Sequence, residues 1–288
     1  MSEQPWVTTL TTWYGESARD LPWRAIGATP YQVLVSEVML QQTPVARVLP
    51  VYEGWVKRWP TARALAADTP GEAVREWGRL GYPRRALRLH AACREVVDRY
   101  DGELPTTVLE LLALPGIGDY TARAVAVFAL GQRHAVVDTN VRRVVARLIE
   151  GVADALVTRA DLGRVEDLLP TDPAAAGVVS IALMELGALV CTARAPRCTA
   201  CPVSTSCAWL AAGSPGLDAP VRPVQSYAGT DRQVRGRLLA VLRDSSEPVD
   251  AELLRQVWDL PEQRVRALES LLADGLVILL PDGRLALP

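Results

Sequence analysis

Two carboxylates, a glycine hairpin and four cysteines are the residues whose types and spacing could do chemistry in this chain. Glu37 sits among Val33, Leu34, Val35, Val38, Met39 and Leu40 in a helical pattern. A carboxylate so flanked is costly unless it is partnered or faces a cleft, where its raised pKa would keep a proton available near neutrality. Taken alone it also reads as a surface glutamate on an amphipathic helix. Asp138 stands in Ala135-Val136-Val137-Asp138-Thr139-Asn140, where the pattern VRRVVARLIE begins, and taken alone it reads as a helix N-cap. Before it, Leu114-Pro115-Gly116-Ile117-Gly118 separates two apolar-periodic segments, which predicts helix, tight hairpin, helix. Gly116 and Gly118 can take φ > 0 and carry no Cβ, so backbone N–H groups there can approach an anion such as a DNA phosphate; an ordinary helix-helix turn is the alternative. Cys191, Cys198, Cys201 and Cys207 have the spacing C-x6-C-x2-C-x5-C, which reads as a metal site rather than a disulfide framework, with tetrahedral zinc one possible occupant.

The elements that must position these groups are helical. A short helix is expected over 7–24, ending in Arg19-Asp20-Leu21-Pro22-Trp23-Arg24, then two helices broken near Thr43-Pro44, and two more around Ala62 to Ala67 and Pro70 to Trp77. The stretch 78–94, GRLGYPRRALRLHAACR, has five arginines and no acid, and is read as a phosphate-contacting helix preceded by the Leu80-Gly81-Tyr82 loop, against a merely solvated face. Arg142, Arg143 and Arg147 suggest a second basic face. Pro173 to Val190 predicts a buried helix with one acid, Glu185. Residues 211–230 read as a linker, and 231–288 as three helices and a β-hairpin about Pro281-Asp282-Gly283, a winged-helix-like pattern. That module has eight arginines against ten acids, so docking on the rest of the chain or on a partner protein is favoured over DNA reading.

At 288 residues and 49% hydrophobic content, the chain can build one large or two modest cores. A net charge of -2 means that any nucleic-acid surface is local. No apolar run reaches membrane-span length and MSEQPWVTTL lacks a signal-peptide pattern, so a cytoplasmic monomer with no membrane partner is expected. His90 and His134 have no ligand spacing, and Cys93 reads as a small packed residue.

Hairpin, helix and VDTN together resemble the helix-hairpin-helix DNA glycosylase superfamily, and Ser36-Glu37-Val38-Met39-Leu40-Gln41-Gln42-Thr43 resembles its adenine-specific branch, the MutY glycosylases. The likeness spans roughly residues 7 to 210 and is specific at LPWR, SEVMLQQT, LPGIG with VDTN, and the cysteine loop 191–207. It implies an all-α helix-hairpin-helix glycosylase domain over 1–210 and a [4Fe–4S] cluster on the four cysteines. It further implies base flipping on double-stranded DNA carrying A:8-oxoguanine or A:G mispairs. Glu37 would protonate adenine at N7, and Asp138 would stabilise the oxocarbenium-like sugar, with Tyr120 and Asn140 orienting the site. Trp23, Arg24, Leu40 and Glu185 would line the base pocket. Gln42, Leu40 and Tyr82 would enter the stack or contact the opposite base, with Gln41, Arg84, Arg85, Gly116, Gly118 and Arg142 also on DNA.

Pro83 replaces a second tyrosine common in the family, and 231–288 is too short for the Nudix-like domain that reads 8-oxoguanine, so the preference for the opposite base stays open. The lysine with which strand-cutting relatives form a Schiff base has Tyr120 in its place, which implies a monofunctional enzyme. Two rivals remain: a thymine or uracil mismatch glycosylase, and a non-catalytic iron-sulfur DNA-binding sensor.

Overall fold

The computed structural model describes residues 4–153, 158–216 and 227–288. In chain order it has α1 (Pro5–Ser17), a 3-10 turn Pro22–Arg24, α2 (Pro30–Leu40), α3 (Val45–Arg58), α4 (Ala62–Ala67), α5 (Pro70–Trp77), α6 (Arg84–Tyr100) and α7 (Val108–Ala113). There follow α8 (Asp119–Phe128), α9 (Thr139–Val145) running on into a π turn Ala146–Glu150, α10 (Arg159–Leu168), α11 (Pro173–Leu189) and α12 (Ala208–Ala211). The last elements are α13 (Asp231–Asp244), α14 (Ala251–Arg255), α15 (Pro261–Ala273), β1 (Ile278–Leu279) and β2 (Leu285–Ala286). No single helix is long and apolar enough to cross a membrane.

These elements form two compact units interleaved in sequence, one from the described residues of 1–33, 106–109 and 118–221, the other from 34–105, 110–117 and 222–288. Contacts thus do not follow the compositional boundaries: the C-terminal module shares a unit with 34–105. Of the expected linker, residues 217–226 lie outside the described residues.

The first unit is built on α11, apolar almost all round and therefore buried along most of its length. Val179, Leu183 and Leu186 pack with Leu10 of α1 and with Val141 and Val144 of α9 in one core. Asp172 caps α11 by accepting from the Ala175 amide at 2.8 Å, with Pro173 at its first position. Gly187 lets α9 and α11 approach: a Cβ there would lie 2.7 Å from the Asn140 Cβ.

In the second unit Thr61 and Thr69 cap α4 and α5, accepting from the amides of Ala64 and Glu72. Trp55 of α3 stacks edge-on against Trp59 and Trp77, at centroid distances of 4.7 and 5.7 Å. Arg58, at the end of α3, bridges Asp68, Glu72 and Glu76. In the C-terminal module α13 packs on α15, and Val249 bridges Leu285 beside the antiparallel β1–β2 pair. Gly283, at φ 85°, makes the turn between those strands. The module meets α5 through Arg75, whose Nη1 donates to the carbonyls of Leu242, Arg243 and Ser245 at the end of α13.

Candidate active site and cysteine loop

In the second unit the run 34–40 buries Leu34, Val35, Val38 and Met39 almost completely, and Glu37 is only 6% exposed among them. It is therefore no surface glutamate. Past the end of α2, Gln42 has φ 55°, and Tyr82, in the loop between α5 and α6, has φ 46°. Left-handed backbone is strained for non-glycine residues and persists where the surroundings fix it. Arg85 does the fixing. Its Nη1 donates to the carbonyls of Val38, Met39 and Gln41 at 2.8, 3.0 and 2.6 Å. Its Nη2 donates to Thr43 Oγ1 at 3.0 Å and to the Gly81 carbonyl at 3.1 Å, and the guanidinium lies over Trp77 and Tyr82. Helix ends leave carbonyls without partners, and here a buried arginine supplies them. Burial, only partly offset by Tyr82, pulls the Arg85 guanidinium down to about 10. The expected phosphate contact is corrected accordingly: Arg85 is buried, with both terminal nitrogens bonded inside the protein. Arg84 is half exposed and paired with Asp274 at 3.1 Å, while Tyr82 is 54% exposed. Leu40 and Gln41 remain part-exposed at the end of α2. Gly116 has φ 76°, and a Cβ there would press on the Arg88 side chain at 2.6 Å, so glycine is required. Gly118 differs from expectation: it is extended, at φ −95°, and serves as the N-cap of α8.

In the first unit Asp138 is the N-cap of α9. Its Oδ1 accepts from the Val141 amide and its Oδ2 from Asn140 Nδ2, both at 2.7 Å. Asn140 Oδ1 in turn accepts from Arg143 Nη2 at 2.7 Å, and Arg143 donates to the carbonyls of Gly187 and Cys191. A continuous polar chain thus runs from the Asp138 carboxylate to the first cysteine. Burial pushes the Asp138 carboxyl above the usual carboxylate range, against the Val141 and Asn140 donors and the Arg143 charge. The expected basic face of α9 is corrected. Arg142, 4% exposed, is ion-paired with Glu150 at 2.8 Å and with Asp161 at 3.0 Å. Arg143 and Arg147 are buried too. Tyr120, in the first turn of α8, packs against Ala124, Val127 and Val136.

Two of the expected base-pocket residues, Arg24 and Glu185, are paired with each other. Glu185 is fully buried and occupied: Arg19 donates to it from its backbone N, Nε and Nη2 at 3.0, 2.7 and 2.7 Å, and Arg24 from Nη1 at 3.0 Å. Burial opposes its charge, but the two arginines prevail and hold its carboxyl below the usual range. Glu185 therefore holds Arg24, the neighbour of the buried Trp23, in place. Arg19 went unmarked in the sequence, where 166 residues separate it from Glu185 and no local pattern links the two.

All four cysteines line one cavity, with Arg147 and Trp209 on its wall. Arg147 donates to the carbonyls of Ala153, Thr192 and Ala193, stacks on Trp209 at 4.6 Å and lies 3.5 Å from Cys191 Sγ. The thiols are free. Burial, with Cys191, Cys207 and Cys198 nearby, pushes Cys201 up to about 11 against a backbone hydrogen bond from Val203. Among the described residues no three His, Cys, Asp or Glu side chains gather closely enough to hold a single metal ion.

Residues 35–161 match the HhH-GPD superfamily base excision DNA repair protein family. The chain is 57% identical over 279 residues to an adenine DNA glycosylase of Mycolicibacterium smegmatis, covering 96% of this chain and 94% of that one. The chain belongs to the adenine DNA glycosylase family. The adenine DNA glycosylase of Homo sapiens is 44% identical over 209 residues, covering 69% of this chain and 38% of its own. Full-length likeness, C-terminal module included, thus holds for the mycobacterial glycosylase and not for the human one. Among solved structures, a thermostable thymine-DNA glycosylase superposes with TM-score 0.64 at 28% identity, covering 72% of this chain and 95% of that one. An endonuclease III complex with DNA superposes at 0.61 and 23% identity, a likeness of fold alone. The all-α helix-hairpin-helix glycosylase fold is the one this family shares.

Proposed function

We propose that this adenine DNA glycosylase of base excision repair hydrolyses the N-glycosidic bond of adenine mispaired with 8-oxoguanine or guanine in duplex DNA. The observation that carries this reading is the 57% identity to an adenine DNA glycosylase over 96% of the chain. A stacked base is out of reach, so the nucleotide must be extruded and the gap filled. The exposed Tyr82 and the strained Gln42, braced by the same guanidinium, suit that task.

Adenine leaves poorly as an anion, so the Glu37 carboxylic acid gives its proton to N7 as the C1′–N9 bond breaks. The electron pair of that bond leaves with the base, and the positive charge left on the sugar is met by ionised Asp138 until water adds at C1′ and gives its proton back to the Glu37 carboxylate. Val141 and Asn140 hold both oxygens of that carboxylate, so its position is set before the charge develops. Four cysteines lining one cavity would hold a [4Fe–4S] group through Cys191, Cys198, Cys201 and Cys207. When bound it supplies a rigid tie across the loop and a capacity for one-electron exchange.

Single-turnover excision on duplexes carrying A:8-oxoguanine, A:G, G:T and U:G tests the reading. Adenine release from the first two, with neither thymine nor uracil released, is expected. Faster thymine release from G:T would instead favour the activity for which the thymine-DNA glycosylase of similar fold is named.

A further inference from the structure

The C-terminal module has no role in the chemistry above, yet it grips both helices that flank the Tyr82 loop. On the upstream side is α5. Arg75, three residues before the loop starts at Gly78, caps the end of α13 through the carbonyls of Leu242, Arg243 and Ser245, the last at 2.8 Å. The same guanidinium is braced by Glu72 at 2.9 Å, and Glu72 by Arg58 at 2.7 Å. Gly71, in the first turn of α5, lies so close to the module that a Cβ there would meet the Leu287 Cβ at 3.1 Å and the Pro288 carbonyl at 2.4 Å. On the downstream side is α6. Its first residue, Arg84, pairs with Asp274 at 3.1 Å, and Asp274 also holds Arg235 of α13 at 2.5 Å. Between these two grips run Gly78, Leu80, Gly81, Tyr82 and Pro83, with left-handed backbone at Gly78, Gly81 and Tyr82. Arg85 and Trp77 hold the Gly81 carbonyl within this segment and Arg47 holds that of Arg79, while the grips on α5 and α6 fix its two ends.

We propose that the module formed by α13, α14, α15 and the β1–β2 hairpin is a positioning element for the 78–83 loop, with Arg75 and Asp274 as its positioning residues. By holding α5 and α6 at fixed separation it presents Tyr82 to the duplex in one conformation. The proposal rests on the reading of Tyr82 as a contact to the opposite base, and it assigns the module a part in opposite-base discrimination without direct contact between module and DNA. The chemistry of the module agrees, since its acids outnumber its arginines and Asp274 already neutralises Arg84.

The test uses the full chain carrying Arg75→Met, with Asp274→Asn as the second, milder variant should the first fail to fold. Amide exchange followed by mass spectrometry should rise about tenfold or more in peptides spanning 78–86, while peptides of α9 and α11 keep their wild-type protection. The ratio of single-turnover rates opposite 8-oxoguanine and opposite guanine should shift by about threefold or more; a loss of active fraction cancels in that ratio. Combining each variant with Tyr82→Ala should produce no further shift in the ratio, because both changes act through one side chain. Wild-type exchange across 78–86 in both variants would overturn the proposal. Faster exchange with an unchanged ratio would uphold the positioning and reject the reading of Tyr82.

Discussion

Asp138 caps a helix and is proposed to carry the anion of the reaction, and one substitution separates the two duties. Asn caps about as well as Asp, so Asp138→Asn should keep thermal stability within about 0.5 kcal/mol of wild type while excision falls. Equal loss of stability and activity would reduce Asp138 to its cap. Because burial raises the Asp138 pKa, the acid limb of the pH–rate profile should lie above the ordinary aspartate value of about 3.9. Glu185 shows the opposite shift. Its carboxyl is held down by Arg19 and Arg24, so its contribution to stability is complete above the ordinary glutamate pKa of about 4.3. That contribution is lost as pH falls through the lower folded value. Glu185→Gln should cost about 2 kcal/mol near neutrality, less than a fully buried pair because both arginines reach solvent. The same variant should flatten the acid side of a denaturation-midpoint-against-pH curve; a curve still parallel to wild type would contradict the assignment.

At the scale of elements, the glycine between α9 and α11 matters as much as the acids. Gly187→Ala would set a Cβ against Asn140 and push the helices apart at a cost of about 1–3 kcal/mol. It should also slow excision by more than the lost stability explains, because Asn140 holds Asp138; full activity per folded molecule would show that the polar chain tolerates the shift. In the cysteine loop, Cys198→Ser should lower bound iron from about four atoms per chain and bleach the visible absorption; stoichiometric zinc in anaerobically purified wild type would remove the cluster from the account. Elements with local signals were legible in the sequence: Thr61 and Thr69-Pro70 mark the starts of α4 and α5, Thr43-Pro44 marks the break after α2, and Pro281-Asp282-Gly283 marks the last turn. The destinations of the arginines were not. Charge counting sees Arg85, Arg142, Arg143 and Arg147 as a basic surface, whereas each turns inward to carbonyls or carboxylates brought near only by packing. The need for Gly187 and the engagement of Glu185 by Arg19 are tertiary facts of the same kind.

At the scale of the whole molecule, the reaction class follows from which nucleophiles the chain can offer. Its one lysine, Lys57, is exposed in the last turn of α3, and the family resemblance implies that Tyr120 stands where strand-cutting relatives have theirs. Borohydride should trap no covalent adduct during adenine excision, and strand breaks should appear only after alkali; efficient trapping that maps to Lys57 would overturn the monofunctional assignment. The central claim is that Glu37 protonates adenine in a mispair, and single-turnover adenine release from an A:8-oxoguanine duplex by wild type and Glu37→Gln, each titrated for duplex binding, tests it most directly. The account predicts near wild-type binding with release slowed about 10²–10⁴-fold, since the amide keeps the shape and carries no transferable proton. Release within about threefold of wild type would contradict it.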